Sequence, residues 1–409
     1  MTRIIYNFLI LLLFPIWFVW MILRVRNRTN SPNWKERWGN YPDIIGEKGN
    51  RIWFHAVSVG EVFAAKPILE RLRILLPEVS FVLTTTTSTG NEVAKSLIGT
   101  SIDQLLYFPI DVPWAAKKAF HKISPTLFVV LETELWLNCL HESKNINAAN
   151  YLINARLSDH SYKSSLKVKF FYRAIFKLLD RILAQTAEDA KRFISLGGKN
   201  TEVFGNSKFD EPISNSSSLP IDEGYILIGS ARGDFEEDFI LNALSGIDDR
   251  IIFAPRHIER SKQIHEKARA KGFQVGLRSE DEWNKNFLIL DSYGELSSLY
   301  QNAKVAIIGG GFDNLGGQNI IQPLSVGCPV ICGPNMKNFR EPFQMALKAG
   351  AILVAESPGN LRTHLEVLLA NEQLRQDMGT KGKMLIEQNR GVAERYAQAI
   401  ASAFREKNP

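Results

Sequence analysis

The chain has 409 residues, enough for two domains. Its 45% hydrophobic and 22% charged content excludes a disordered or collagen-like chain. The formal net charge of +6 suits an anionic ligand or membrane surface and is too small to mark a nucleic-acid binder. Cys139, Cys328 and Cys332 form no CxxC pair and cannot build a disulfide framework, which points to a reducing compartment. The histidines show no HExxH spacing, so no metal site is expected.

Ile4 to Leu23 runs without a charge, and a helix of that length would be about 30 Å long, the thickness of a bilayer core. Trp17 and Trp20 suit an interface, and Arg24, Arg26, Arg28, Lys35 and Arg37 follow. The expectation is an N-terminal membrane helix, residues 1–28, that leaves the remainder on the cytoplasmic side of the inner membrane. A cleaved signal peptide is disfavoured by the long apolar run and the lack of an A-x-A site, and the sequence leaves open whether the helix spans the bilayer or lies in one leaflet.

From Arg51 onward, continuously apolar runs alternate with helical patterns: 51–57, 80–87, 105–110, 126–132, 151–155, 181–186 and 201–205. Such runs predict parallel strands covered on both faces. Residues 211–224, rich in Ser and Pro, read as a linker. The rhythm resumes with 225–231, 251–256, 287–292, 305–311, 329–333 and 351–355, then turns helical. The reading is α/β: two doubly wound Rossmann-like domains, 29–210 and 225–385, with a central cleft, and a C-terminal helical segment, 386–409.

Polar residues gather where strands end. Glu61 follows the first strand through Gly60 and opens a helix, where a lone glutamate is ordinarily a dipole partner. Glu132 and Glu134 end another strand, with Trp136 beyond. Arg156, Ser158 and Ser161 end a third, and Asn206 and Lys208 precede the linker. In the second half Arg232 and Arg256 each follow a strand. The glycines of IIGGGFDNLGGQN (307–319) let backbone N–H groups approach a ligand, with a helix expected near Gln318. This is neither a GxGxxG fingerprint nor a P-loop, which argues against dinucleotide oxidation and P-loop chemistry. Between Ser161 and Leu183, lysines and arginines interleave with Phe170, Phe171, Ile175 and Phe176. Such a helix suits a lipid surface or a packed helix with a solvated basic face.

WFHAVSVGE (53–61), TTTTSTG (84–90), FPIDVPW (108–114), ETELWLN (132–138), INARLSDHS (153–161), GNSKFD (205–210), APRHIER (254–260) and GPNMKNFRE (333–341) together resemble the 3-deoxy-D-manno-octulosonic acid (Kdo) transferases of lipopolysaccharide inner-core synthesis. The resemblance implies a GT-B fold, CMP-Kdo as donor, the lipid A precursor lipid IVA as acceptor, inversion at the anomeric carbon and no required metal or other cofactor. By motif, Glu61 resembles the general base, and Glu132 with Lys208 the groups that stabilise the transition state. Pro255, Arg256 and His257, the turn Gly294-Glu295-Leu296, and Asn319 to Gln322 resemble the CMP contacts. The chain departs from the family at Leu315 and Gln318, where histidines are usual, and at Gln322, where glutamate is usual. An amide accepts hydrogen bonds from ribose hydroxyls less fully than a carboxylate. Two other readings compete: a GT-B enzyme with a different donor or an epimerase, and a non-catalytic, membrane-tethered sugar-binding protein.

Overall fold

The computed structural model describes residues 2–12, 33–210 and 224–408. The chain divides into two compact units, Met1–Asp210 with Gly391–Pro409, and Glu211–Arg390.

The first unit is built on β1 (Arg51–His55), β2 (Ser80–Thr85), β3 (Gln104–Tyr107), β4 (Leu127–Leu131), β5 (Ala149–Ala155), β6 (Arg181–Ala184) and β7 (Thr201–Val203). They pair in parallel in the order β3-β2-β1-β4-β5-β6-β7. β1, β2, β4 and β5 are buried along their whole length, which is why they read as unbroken apolar runs. Alternate residues feed two cores: Phe54, Phe81 and Val129 on one face, Trp53, Val82 and Phe128 on the other. Strand order reverses between β1 and β4, so their carboxyl ends form the switch point where such sheets bind ligands.

The second unit repeats the plan with β8 (Tyr225–Ala231), β9 (Ile251–Pro255), β10 (Val275–Leu277), β11 (Phe287–Ile289), β12 (Ala303–Ile308), β13 (Val330–Cys332) and β14 (Ile352–Val354). The order is β10-β11-β9-β8-β12-β13-β14, again parallel, with the switch between β8 and β12. β10 is the strand the sequence pattern does not show: it is short, has Gly276 at its centre and lies at a sheet edge.

After the helix Glu372–Gln388 the chain turns at Gly391, whose φ of 81° is in the left-handed region, and enters the helix Val392–Lys407. That last helix buries Tyr396, Ala397, Ile400 and Phe404 in the first unit's core beside the helix Val59–Leu75. The Asp210 carboxylate accepts the N–H groups of Gly391 and Ala393 at 2.7 and 2.6 Å, capping its start. The basic stretch after Ser161 forms two helices, Asp159–Lys167 and Lys169–Phe176, broken at Val168. Residues 2–12 are helical, whereas the rest of the expected span and all but the last residue of the expected linker lie outside the described residues. Among the described residues no helix is long and apolar enough to cross a membrane.

Candidate active site

β1 leads through Val57 and Ser58 into the helix Val59–Leu75, which places Glu61 in its first turn. The carboxylate turns back to accept the Val57 N–H at 2.8 Å and the Ser58 hydroxyl at 3.1 Å. That satisfies a donor at the helix entrance, as a capping glutamate does. A capping glutamate is normally solvated, but Glu61 is only 6% exposed. Burial, and after it the charge of Glu132, push its pKa well above the ordinary carboxylate range against the pull of both hydrogen bonds.

Glu132 follows β4 directly and has a φ of 56°, a left-handed conformation that costs a side-chain-bearing residue about 1–2 kcal/mol. Its N–H still donates to Ile153 O at 3.0 Å, so the ladder to β5 runs into the twist. The twist aims the carboxylate at two cations, Arg156 Nε at 2.7 Å and Lys208 Nζ at 3.2 Å. Burial alone would raise its pKa; the Lys208 ammonium and the Arg156 guanidinium outweigh it and hold Glu132 below the usual range. Two neighbouring carboxylates are thereby driven apart, one ionised and one retaining its proton to higher pH. Burial and Glu132 raise Glu134 as well.

Lys208 is held by the turn Ser207–Asp210. Ser207 N–H donates to Asn154 Oδ1 at 3.1 Å and the Ser207 hydroxyl donates to Ala64 O at 2.7 Å, tying the turn to the end of β5 and to the helix that carries Glu61. Lys208 Nζ lies 3.7 Å from where a methyl group on Gly60 would sit. From the C-terminal helix, the Tyr396 hydroxyl donates to Gly205 O at 3.0 Å and accepts the Asn154 N–H at 3.2 Å.

In the second unit, Glu236 is fully buried and organises the switch point. Its carboxylate accepts the N–H groups of Arg232 (2.7 Å), Gly310 (2.7 Å) and Phe312 (3.2 Å), joining the ends of β8 and β12. Two N–H groups of the glycine loop are therefore committed to the protein rather than turned to a ligand. Burial and then the Arg232 guanidinium depress the pKa of Arg256, and no carboxylate pairs with either arginine among the described residues. Two adjacent unpaired guanidiniums suit an anion.

The structure brings Glu61, Glu132 and Lys208 into one constellation, and adds Arg156 as the second cation on Glu132. Pro255 ends β9 and Arg256 follows it, whereas His257 is half-buried and its Nδ1 lies 3.4 Å from Glu259 Oε1. Gly294 has a φ of 90°. Glu295 accepts Arg278 Nε at 3.2 Å and Nη2 at 3.0 Å, and the hydroxyl of Ser292. Leu296 begins the short helix Leu296–Leu299. Asn319 Oδ1 accepts the Ile321 N–H at 2.8 Å, and Gln322 lies in the helix Ile321–Ser325, which starts three residues later than expected. Some of the glycines serve close backbone packing. A Cβ on Gly309 would lie 2.6 Å from Ser230 O, and one on Gly333 would lie 2.2 Å from Gly311 C. Arg156 is visible in the sequence as a strand-end arginine. Glu236 gives no such signal, since it is one of several acids in a helix's first turn.

Two parallel α/β units with polar groups at their switch points define a GT-B-like fold. The chain is similar in fold to a putative UDP-N-acetylglucosamine 2-epimerase from Listeria monocytogenes, with a TM-score of 0.58, 14% identity and 88% and 98% of the two chains covered. It is also similar to a glycosyltransferase from Rickettsia africae, with a TM-score of 0.54, 11% identity and 87% and 98% covered. Residues 32–211 match the family model described as 3-Deoxy-D-manno-octulosonic-acid transferase (kdotransferase). The 3-deoxy-D-manno-octulosonic acid transferase of Haemophilus influenzae is 30% identical over 420 residues, spanning 98% of each chain. That of Bordetella pertussis is 29% identical over 436 residues, spanning 98% and 99%. The chain belongs to the 3-deoxy-D-manno-octulosonic acid transferase family and is a glycosyltransferase.

Proposed function

We infer that the chain transfers Kdo from CMP-Kdo to lipid IVA, with inversion and without a metal, at the cytoplasmic face of the inner membrane. Glu61 takes the proton from the attacking acceptor hydroxyl. Its raised pKa matches it to that task, because a base titrating nearer the working pH has the larger driving force for proton transfer. Glu132, Arg156 and Lys208 together carry one net positive charge beside it, which suits the carboxylate of an acidic sugar. In the second unit Arg232 and Arg256 meet the phosphate of the departing CMP, whose negative charge grows as the glycosidic bond breaks. Residues 294–296 and 319–322 are assigned to the nucleotide by family resemblance.

The observation that carries the reading is the buried Glu61 beside an ion-paired Glu132 at the switch point, in a chain of this family. The test is to incubate the purified protein with CMP-Kdo and lipid IVA and to weigh the lipid. A mass gain of one or more Kdo residues, lost in Glu61→Gln, is expected; an unchanged acceptor mass with the wild-type chain refutes the assignment. Competition by CMP rather than UDP separates it from an enzyme of the same fold with a uridylate donor.

A further inference from the structure

The helix over residues 2–12 is amphipathic in an unusual sense. The face on which residues 3, 6, 7 and 10 recur points to the protein, and its polar groups are bonded there. Arg3 donates from Nε to Asn138 Oδ1 at 3.0 Å and pairs through Nη2 with Glu142 at 2.7 Å. The Tyr6 hydroxyl donates to Asp111 Oδ2 at 2.7 Å, and Asn7 Oδ1 accepts from Asn138 Nδ2 at 2.7 Å. The opposite face is wholly apolar, with Ile4, Phe8 and Leu12 exposed by 74%, 65% and 61%. A face of that kind marks a binding surface.

Its neighbour shows what covers it. Tyr6 packs on Phe171 at 5.6 Å between ring centroids, joining this helix to Lys169–Phe176. There Leu166, Val168 and Phe170 are exposed, interleaved with exposed Lys163, Lys167, Lys169 and Arg173. Ile175 and Phe176 enter the core, so the packed-helix reading accounts for only part of this segment's apolar residues. Apolar side chains ringed by lysines match an anionic bilayer surface, where the acyl boundary takes the former and the headgroups the latter.

A helix crossing the bilayer from Ile4 to Leu23 would put residue 3 about 30 Å from the folded unit. The four contacts to Asp111, Asn138 and Glu142 require the opposite. Resting on the membrane location inferred above, we propose that residues 2–12 lie in the plane of the cytoplasmic leaflet, on the same side as the catalytic units. They form one membrane-binding face with residues 163–173, and its partner is an anionic phospholipid surface.

The three native cysteines are buried, so Thr2→Cys supplies a single addressable thiol. A membrane-impermeant maleimide is expected to label it in inside-out membrane vesicles and not in right-side-out ones; labelling of right-side-out vesicles overturns the proposal. Phe8→Asp and Phe170→Asp, on separate helices, are each expected to weaken binding of the purified chain to phosphatidylglycerol-containing vesicles by roughly tenfold. Lys167→Glu with Lys169→Glu should abolish the preference for those vesicles over pure phosphatidylcholine. Binding unchanged in both aspartate variants also overturns it. These measurements use no substrate, so a wild-type chain that binds vesicles as expected but fails to transfer Kdo refutes the functional reading alone.

Discussion

Replacing Glu132 by glutamine keeps the shape of the side chain and removes its charge, and the structure dictates two consequences. First, the charge of Glu132 is one reason Glu61 holds its proton to higher pH. Removing a like charge stabilises the ionised form of Glu61, and the positive charges of Lys208 and Arg156, no longer offset by Glu132, push the same way. The pKa of Glu61 therefore falls, and the acid limb of kcat/KM moves to lower pH. A change in interaction of about 1.4 kcal/mol corresponds to about one pH unit. Second, the Lys208 side chain, 5% exposed, loses the Glu132 carboxylate 3.2 Å from its ammonium. Removing one member of a buried ion pair costs about 3–5 kcal/mol. The assay is a pH–rate profile with CMP-Kdo and lipid IVA alongside thermal unfolding. A fall in Tm together with an acidward shift of the limb is expected. An acid limb that stays put or moves to higher pH would refute the electrostatic coupling of the two carboxylates.

Glu61→Gln is expected to lower kcat by about 10²–10⁴-fold, the usual worth of a general base, read in the same transfer assay. Because the folded state raises the pKa of Glu61, its favourable contribution is present below the ordinary glutamate pKa and is lost as pH rises through the raised one. Tm of the glutamine variant should therefore match wild type in acid and exceed it in alkali. Glu236→Ala orphans the N–H groups of Arg232, Gly310 and Phe312, at about 1–3 kcal/mol for each left unsatisfied; calorimetry should show a loss of that order and CMP should bind more weakly. Gly333→Ala places a methyl group 2.2 Å from the Gly311 backbone, so stability should fall and the CMP affinity with it, while the pH profile set by Glu61 stays unchanged.

The sheets were largely legible because parallel strands covered on both faces must be apolar throughout, as in Leu127–Leu131 and Ile251–Pro255. β10 was not, since Gly276 breaks the run and an edge strand needs less apolar cover. Glu61, Glu132 and Lys208 could be picked out by motif, but their coupling could not: it depends on the backbone twist at Glu132 and on a turn 76 residues further on. Glu236 was hidden because a glutamate in a first helical turn has the same pattern whether it faces water or three buried N–H groups. The return of the last helix to the first unit was equally hidden, since Tyr396, Ile400 and Phe404 mark an apolar stripe without naming its partner.

That return has a consequence for biosynthesis. Glu211–Arg390 is spliced into the first unit as an insertion, with both of its connections leading to the same half of the molecule. A chain emerging from the ribosome can complete the inserted half while the other half still lacks the helix that supplies Tyr396, Ile400 and Phe404 to its core. At about 5–20 residues per second, that wait is on the order of tens of seconds. Throughout it the turn carrying Lys208 lacks the N–H groups of Gly391 and Ala393 that its Asp210 carboxylate holds, so the half that contains Glu61 is the last to mature.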